Sequence, residues 1–149
     1  MALLDWFNRA LKGDYDTKLE FAPNEEKFSG LNLRQVLDAH TAWKSRLQQV
    51  LDGNSTEDMD VATVSQDDQC VLGKWIYGEG KHLYGHLPEY ESLRVAHADF
   101  HLCSGEVLIA HQSGDFLKAS QILHTQFRTT SNKNQLELVR LFHAAKVKS

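Results

Sequence analysis

The stretch PEYESLRVAHADFHLCSGEVLIAH, residues 88–111, decides the fold of this chain. Its apolar and aromatic residues recur at helical spacing, which predicts one long helix with a buried face. Pro88 suits the first turn of such a helix, because the backbone N–H that it lacks would have no partner there. The predicted buried face contains Tyr90, Leu93, His97, Phe100, His101 and Leu108. Two histidines therefore lie among core residues.

The rest of the chain follows the same helical pattern. Only two prolines interrupt its 149 residues, and we predict an all-α fold. The other predicted helices are Ala2–Lys12, Leu31–Leu51, Gln66–Tyr77 and a last helical region, Asp115–Val147, with a candidate break at residues 129–134. Residues 14–30 are predicted as an irregular connector and Lys81–Leu87 as a loop.

Composition limits the classes of function. A chain of 149 residues is long enough for one domain with its own core. The net charge of −4 argues against nucleic acid as a partner. No apolar run is long enough to form a transmembrane segment. Two cysteines without a signal peptide predict a cytoplasmic protein with reduced thiols.

Four residues form a candidate metal site. His97 and His101 are four apart on the predicted helix, so both imidazoles can reach one ion. His40 lies in the apolar face of the predicted helix 31–51. Cys70 lies in the first turns of the predicted helix 66–77, where the helix dipole favours a thiolate.

A buried histidine can instead be a core residue whose ring bonds a backbone carbonyl. That explanation is sufficient for one histidine, whereas three histidines together with a cysteine favour a shared metal. A Cys/His₃ set indicates zinc. Because four protein ligands leave no open position for water or substrate, we do not expect an enzyme.

Other residues have two interpretations each. Asp67 and Asp68 either accept a hydrogen bond from a ligand imidazole or are exposed acids at a helix start. Cys103 is predicted as a small core residue, with a second oxidation-sensitive thiol as the alternative. His82 and His86 are predicted on the surface, because Gly85 and Pro88 disfavour a helix there. Trp75 and Tyr77 are expected to pack around the site or across a subunit interface.

Three segments resemble the chemoreceptor zinc-binding domain family, in the family's order and spacing: HTAWK at 40–44, CVLGKWIYGEG at 70–80 and YESLRVAHADFH at 90–101. The resemblance implies an antiparallel four-helix bundle, here with an additional short N-terminal helix. It also implies one zinc ion held by His40, Cys70, His97 and His101. We therefore divide the chain into an N-terminal amphipathic helix and connector, residues 1–30, and a zinc-binding helical bundle, residues 31–149.

The resemblance also carries expectations about function. Members of this family are commonly attached to a chemoreceptor signalling region or a diguanylate cyclase, and some sense zinc while others sense hypochlorous acid through the cysteine. No such output region occurs in this sequence, so we expect a homodimer that signals to a separate chemoreceptor or diguanylate cyclase-type partner in chemotaxis or cyclic-di-GMP control. The alternative is a purely structural zinc site in an adaptor or scaffold bundle.

Overall fold

The computed structural model describes residues 2–15, 21–22, 25–55 and 59–148, and it is mostly helical with one small sheet. The helices are α1 (Ala2–Leu11), α2 (Leu33–Leu51), α3 (Val61–Ser65), α4 (Val71–Tyr77), α5 (Glu79–Tyr84), α6 (Pro88–Gln112), α7 (Phe116–His124) and α8 (Gln126–Lys148). The all-α prediction is confirmed, with the addition of strands β1 (Lys27–Phe28) and β2 (Leu31–Asn32). Every helix among the described residues is too short or too polar to cross a lipid bilayer.

The two strands form a hairpin ahead of α2. Ser29 and Gly30 both have positive φ angles, +47° and +84°, as a two-residue hairpin turn requires. The predicted start of the second helix at Leu31 is therefore wrong by two residues, because Leu31 pairs with Phe28 in the sheet. Asn32 begins α2 instead, since its side-chain oxygen accepts the backbone N–H of Gln35 at 2.9 Å.

The N-terminal helix packs against the rest of the protein. Leu3, Trp6, Phe7 and Ala10 are all buried, and α1 contacts α8. The apolar face of α1 is therefore covered by the rest of the protein, including α8. The connector predicted after it falls partly on residues 16–20 and 23–24, which lie outside the described residues.

Two clusters of apolar residues form the core. The first core cluster joins α1, the hairpin and α4 to one end of α2, α6 and α8, and it includes Trp6, Phe28, Leu37, Ile76, Leu93 and Phe142. The second core cluster joins α3 and α7 to the other parts of these long helices, and it includes Leu47, Val64, Phe100, Val107, Leu123 and Phe127. Along α2 and α6, His40 and His97 fall between members of the two clusters. The candidate site is therefore a polar layer between two apolar ones.

The segment before α6 differs from its prediction. The helix predicted over residues 66–77 begins only at Val71, since Cys70 caps it, and the short helix α3 precedes it unpredicted. The loop predicted for 81–87 is helical up to Tyr84. This helix, α5, is stabilised by packing, because the Tyr84 ring stacks on Phe28 with a centroid separation of 5.1 Å.

The last helical region is divided into two helices, and the division comes before the break predicted at residues 129–134. Helix α7 ends before Thr125, and residues 129–134 lie within α8. The Thr125 hydroxyl donates to the carbonyl oxygen of Gln121 at 2.6 Å, which competes with the regular helix pattern at this point.

Candidate metal centre

The structure brings the four predicted ligands together. The candidate ligand atoms of His40, Cys70, His97 and His101 all lie within 4.8 Å of one another. The three histidines are buried, with 7%, 0% and 7% of their surface exposed, and Cys70 is half-buried. Helix α2 supplies His40, α6 supplies His97 and His101, and the start of α4 supplies Cys70.

The separations among the ligand atoms of Cys70, His97 and His101 fit one small cation. Cys70 Sγ lies 3.2 Å from His97 Nε2 and 3.5 Å from His101 Nε2, and the two Nε2 atoms are 3.1 Å apart. Ligand atoms about 2.0–2.3 Å from one zinc ion are roughly 3.3–3.7 Å apart in a tetrahedron. These three separations lie within a few tenths of an ångström of that range, and the ligand atom of His40 lies within 4.8 Å of the other three.

Two backbone carbonyls determine which ring nitrogens face the centre. His40 Nδ1 donates to the carbonyl oxygen of Val36 at 2.9 Å, and His101 Nδ1 donates to that of Val64 at 3.0 Å. A carbonyl oxygen can only accept, so each Nδ1 carries the proton and each Nε2 keeps a lone pair. This tautomer is the one that binds metal through Nε2, with the other nitrogen held by a hydrogen bond.

His97 has the most enclosed ring of the three. Its Nε2 faces Cys70 and His101, while its Nδ1 is buried without a hydrogen-bond partner among the described residues. The ring is fully buried, and its neighbours include the rings of His40 and His101, whose centroids are 5.5 and 4.6 Å away. An imidazole so placed has little to stabilise it except a ligand at Nε2.

Electrostatics keep the imidazoles in the form that binds a metal. Burial, together with a smaller contribution from the neighbouring imidazoles, lowers the pKa of His40 to about 4 and that of His97 to about 2. Burial also lowers the pKa of His101. All three rings are therefore neutral near pH 7, with lone pairs available.

Cys70 behaves differently from its prediction. It is the N-cap residue of α4, and its Sγ accepts the backbone N–H of Gly73 at 3.3 Å. Burial nevertheless raises the pKa of the Cys70 thiol, and the N–H bonds oppose this only in part. The position at a helix start is thus insufficient to make a thiolate, and a divalent cation would supply the missing positive charge.

Gly73 makes the Cys70 turn possible. A Cβ atom at this position would lie 1.9 Å from the backbone oxygen of Asp67, which is far inside contact distance. Only glycine therefore lets the chain before α4 fold back on its first turn. Sequence reasoning placed Gly73 in a motif without a role, and its close approach to Asp67 is visible only in three dimensions.

The acidic residues before Cys70 do not support the ligands. The hydroxyl of Tyr77 donates to the Asp67 carboxylate, Asp68 is exposed, and His101 bonds the Val64 carbonyl instead. Of the two interpretations given for Asp67 and Asp68, the hydrogen bond from a ligand imidazole is therefore not seen among the described residues. A backbone carbonyl carries no side-chain signature, so the sequence had no signal for Val36 or Val64.

The remaining candidates lie away from the centre. His82 and His86 are exposed and Cys103 is buried, as predicted. Trp75 packs on the hairpin, where its indole N–H donates to the Ser29 carbonyl oxygen at 3.0 Å. A cavity of about 140 Å³ lies beside the cluster, and three larger ones, of about 580, 450 and 210 Å³, are lined by none of the four candidate ligands.

Comparison with known proteins gives one match. Residues 40–108 match the family described as the chemoreceptor zinc-binding domain. No curated protein and no solved structure matches the chain. The matched segment begins at His40 and contains the four clustered side chains, and its neutral imidazoles and single thiol suit zinc. The part of this chain that carries the cluster belongs to the chemoreceptor zinc-binding domain family.

Proposed function

We propose that His40, Cys70, His97 and His101 hold one zinc ion and that the protein is a regulatory sensor of zinc, of oxidants such as hypochlorous acid, or of both. The observation that carries this proposal is the convergence of four ligand atoms within 4.8 Å in a part of the chain that matches a zinc-binding family. Bound zinc would supply positive charge that holds Cys70 as a thiolate. Four protein ligands leave no open position, so we propose no catalytic step.

The positions of the ligands support the proposed sensing role. Three ligands lie on the long helices α2 and α6, and the fourth caps the seven-residue helix α4. Loss of zinc, or of the Cys70 bond to it, would loosen the start of α4, while Leu72 and Ile76 stay packed in the first core cluster. Such a local change in structure is what a partner protein could recognise.

The oxidant version uses the chemistry of Cys70. Its thiolate and hypochlorous acid give a sulfenic acid and chloride, with the sulfur losing two electrons to the chlorine. A sulfenic acid is a weaker ligand than a thiolate, so the site loosens. We expect hypochlorous acid to release zinc from the native protein and not from Cys70→Ala that has been reconstituted with zinc. Equal release from both would remove Cys70 from the mechanism.

We extend the proposal to the setting of the protein. We place it in the bacterial cytoplasm as a homodimer of antiparallel four-helix bundles that signals to a separate chemoreceptor or diguanylate cyclase-type protein. The support is family membership of residues 40–108 together with two free cysteines, which suit a reducing compartment.

Metal analysis of the purified protein tests the proposal most directly. We expect about one zinc per chain in the wild type, on the stoichiometry of a four-ligand site, and a large loss in Cys70→Ala. Cys103→Ala is the matched control, because it removes the other cysteine and leaves the cluster intact. A wild-type protein that binds no zinc, or equal zinc in Cys70→Ala, would contradict the assignment.

A structural zinc site is the second candidate. The observation that favours it is the burial of three ligands between the two core clusters, where a metal would staple α2 to α6. A competing chelator separates the two roles when circular dichroism is followed during metal removal. A sensor should lose zinc and keep most of its helicity, whereas global unfolding would favour the structural role.

A further inference from the structure

Two fully buried side chains have polar atoms without hydrogen-bond partners among the described residues. Asn134 of α8 is one of them, and both its amide nitrogen and its side-chain oxygen are unpaired there. His97 is the other, through its Nδ1 atom, whereas His40 and His101 each donate from Nδ1 to a backbone carbonyl. A buried polar group without a partner destabilises the folded state, so each of these groups needs an explanation.

Asn134 lies on the face of α8 that packs against α6. It follows Phe127 by seven residues, which is about two helical turns, and it precedes Leu138 by four. Side chains at this spacing point to the same side of a helix. Phe127 contacts Phe100 of α6, with the two ring centroids 5.2 Å apart. The side chain of Asn134 is therefore directed toward α6.

The two core clusters place Asn134 at the level of His97. On each helix, a member of the first core cluster and a member of the second enclose the residue in question: Leu93 and Phe100 on α6, Leu138 and Phe127 on α8. His97 lies between the two members on α6, and Asn134 lies between the two on α8. Both residues thus belong to the polar layer that separates the clusters.

Helix α2 gives the same level independently. The ring centroid of His40 lies 5.5 Å from that of His97. The next residue, Thr41, accepts a hydrogen bond from the side-chain amide of Gln135 at 3.1 Å. Gln135 directly follows Asn134. Since one residue advances a helix by about 1.5 Å, contacts through α2 place His97 and Asn134 at closely similar heights.

We infer that Asn134 is a positioning residue of the metal centre, and that its side-chain oxygen accepts a hydrogen bond from Nδ1–H of His97, directly or through one buried water molecule. The inference rests on the proposed function, in which Nε2 of His97 binds zinc and the ring proton must lie on Nδ1. Asn134 then does for His97 what backbone carbonyls do for His40 and His101. All three rings are held in the tautomer that leaves Nε2 free for the metal.

Removing the acceptor tests this role. We expect Asn134→Leu to lower zinc affinity roughly 10–100-fold, as loss of the partner of a metal-bound histidine does. The urea midpoint of the metal-free protein should be kept or raised, because an unpaired buried amide is replaced by an apolar side chain. Dye competition and urea unfolding measure the two quantities. A residue that only packs would lower both together, and that result, like unchanged affinity, would overturn the inference.

Two further variants separate the acceptor from other effects of substitution. Asn134→Asp keeps an oxygen at the same place, and we expect it to restore most of the wild-type affinity, because carboxylates commonly accept from zinc-bound histidines. Asn132→Leu is the matched control, since it makes the same change two residues earlier, where the side chain lines the 450 Å³ cavity. An equal fall in Asn132→Leu, or no recovery in Asn134→Asp, would overturn the role of the Asn134 oxygen.

The tautomer of His97 tests the inference without zinc. Ring nitrogen chemical shifts of metal-free protein with ¹⁵N-labelled histidine report which nitrogen carries the proton, and His97→Gln identifies the His97 signals by their loss. We expect the proton on Nδ1 in the wild type and a mixture of tautomers in Asn134→Leu. A proton on Nε2 in the metal-free wild type would overturn the inference without any Asn134 variant. Absence of zinc from the purified wild type would instead overturn the proposed function.

Discussion

The candidate metal centre is assembled from two unlike parts of the molecule. Its histidines lie on α2 and α6, helices of 19 and 25 residues that run through both core clusters. Its cysteine and the Val64 carbonyl come from α4 and α3, helices of seven and five residues. Helices as short as α3 and α4 are not stable alone and depend on tertiary contacts.

This difference separates a rigid half of the centre from a responsive one. The histidine rings are fixed by packing between apolar layers, and moving them would disturb the whole core. Cys70 is held by one turn, one N–H bond and the close approach at Gly73. We therefore expect that changes in the long helices abolish the site, whereas changes in the short segments loosen it.

Removing a histidine from one of the long helices should have the largest effect on zinc affinity. We expect His97→Ala to weaken zinc binding by more than the roughly 10–100-fold that follows loss of a ligand's hydrogen-bond partner, because a direct ligand is lost. Competition with a zinc-binding dye measures this affinity. His82→Ala is the control, since it removes an exposed histidine away from the centre. Equal affinity in His97→Ala and wild type would exclude His97 as a ligand.

A methyl group at Gly73 should have the next largest effect on zinc affinity, because it disturbs the short segment that carries Cys70. Because the new Cβ would meet the Asp67 backbone oxygen at 1.9 Å, the turn that carries Cys70 must move. We expect Gly73→Ala to lower the free energy of unfolding by about 1–3 kcal/mol and zinc affinity by roughly 10–100-fold.

Urea unfolding and dye competition measure these two quantities. Val71→Ala is the matched control, because Val71 lies in the same helix with 69% of its surface exposed. If Gly73→Ala behaves like Val71→Ala, the close approach does not position Cys70.

The reactivities of the two cysteines allow the rigid and the responsive half of the molecule to be compared with one alkylating reagent. Cys70 is half-buried at the cap of α4, whereas Cys103 lies on α6 with 5% exposure and burial raises its pKa to about 11. Each pKa unit above the working pH lowers the thiolate fraction about tenfold. Burial raises the pKa of Cys70 too, but its sulfur is partly exposed, whereas Cys103 is buried. In protein treated with a chelator at pH 7.5, we therefore expect iodoacetamide to modify Cys70 about tenfold faster than Cys103. Faster modification of Cys103 would contradict this difference between the halves.

The smallest expected effect is a local increase in amide hydrogen exchange when zinc is removed. When zinc is removed, we expect amides of residues 61–77 to exchange several-fold faster, because α3 and α4 lose their tie to the histidines. Amides in the middle of α6 should change little, since apolar packing holds that helix. Mass spectrometry of peptides resolves the two regions, and a uniform increase over both would mean that the halves are one cooperative unit.

The sequence predicts helices correctly where the apolar spacing repeats over many turns, and it fails for helices of only one or two turns. The helix predicted over 88–111 matches α6, because seven turns of apolar spacing outweigh local ambiguity. The segment before it contains α3 and α5, which were not predicted, and the start of α4 was placed too early. Helices of five to seven residues form there because Val64, Trp75 and Tyr84 pack on distant residues.

The sequence by itself determined the chemistry of the candidate site. Three histidines within apolar stripes and one cysteine are enough to name the four side chains that the structure brings together. Their residue types also indicate zinc without any coordinates. A buried imidazole needs a partner for its ring nitrogens, and the helical spacing alone already indicates that these histidines are buried.

Only the tertiary structure decided how those side chains are held. The Val36 and Val64 carbonyls set the ring tautomers, Gly73 admits the turn at Cys70, and a cavity lies beside the cluster. A backbone carbonyl or a cavity has no residue type of its own. Each arises from where helices pack, which depends on contacts between residues far apart in the chain.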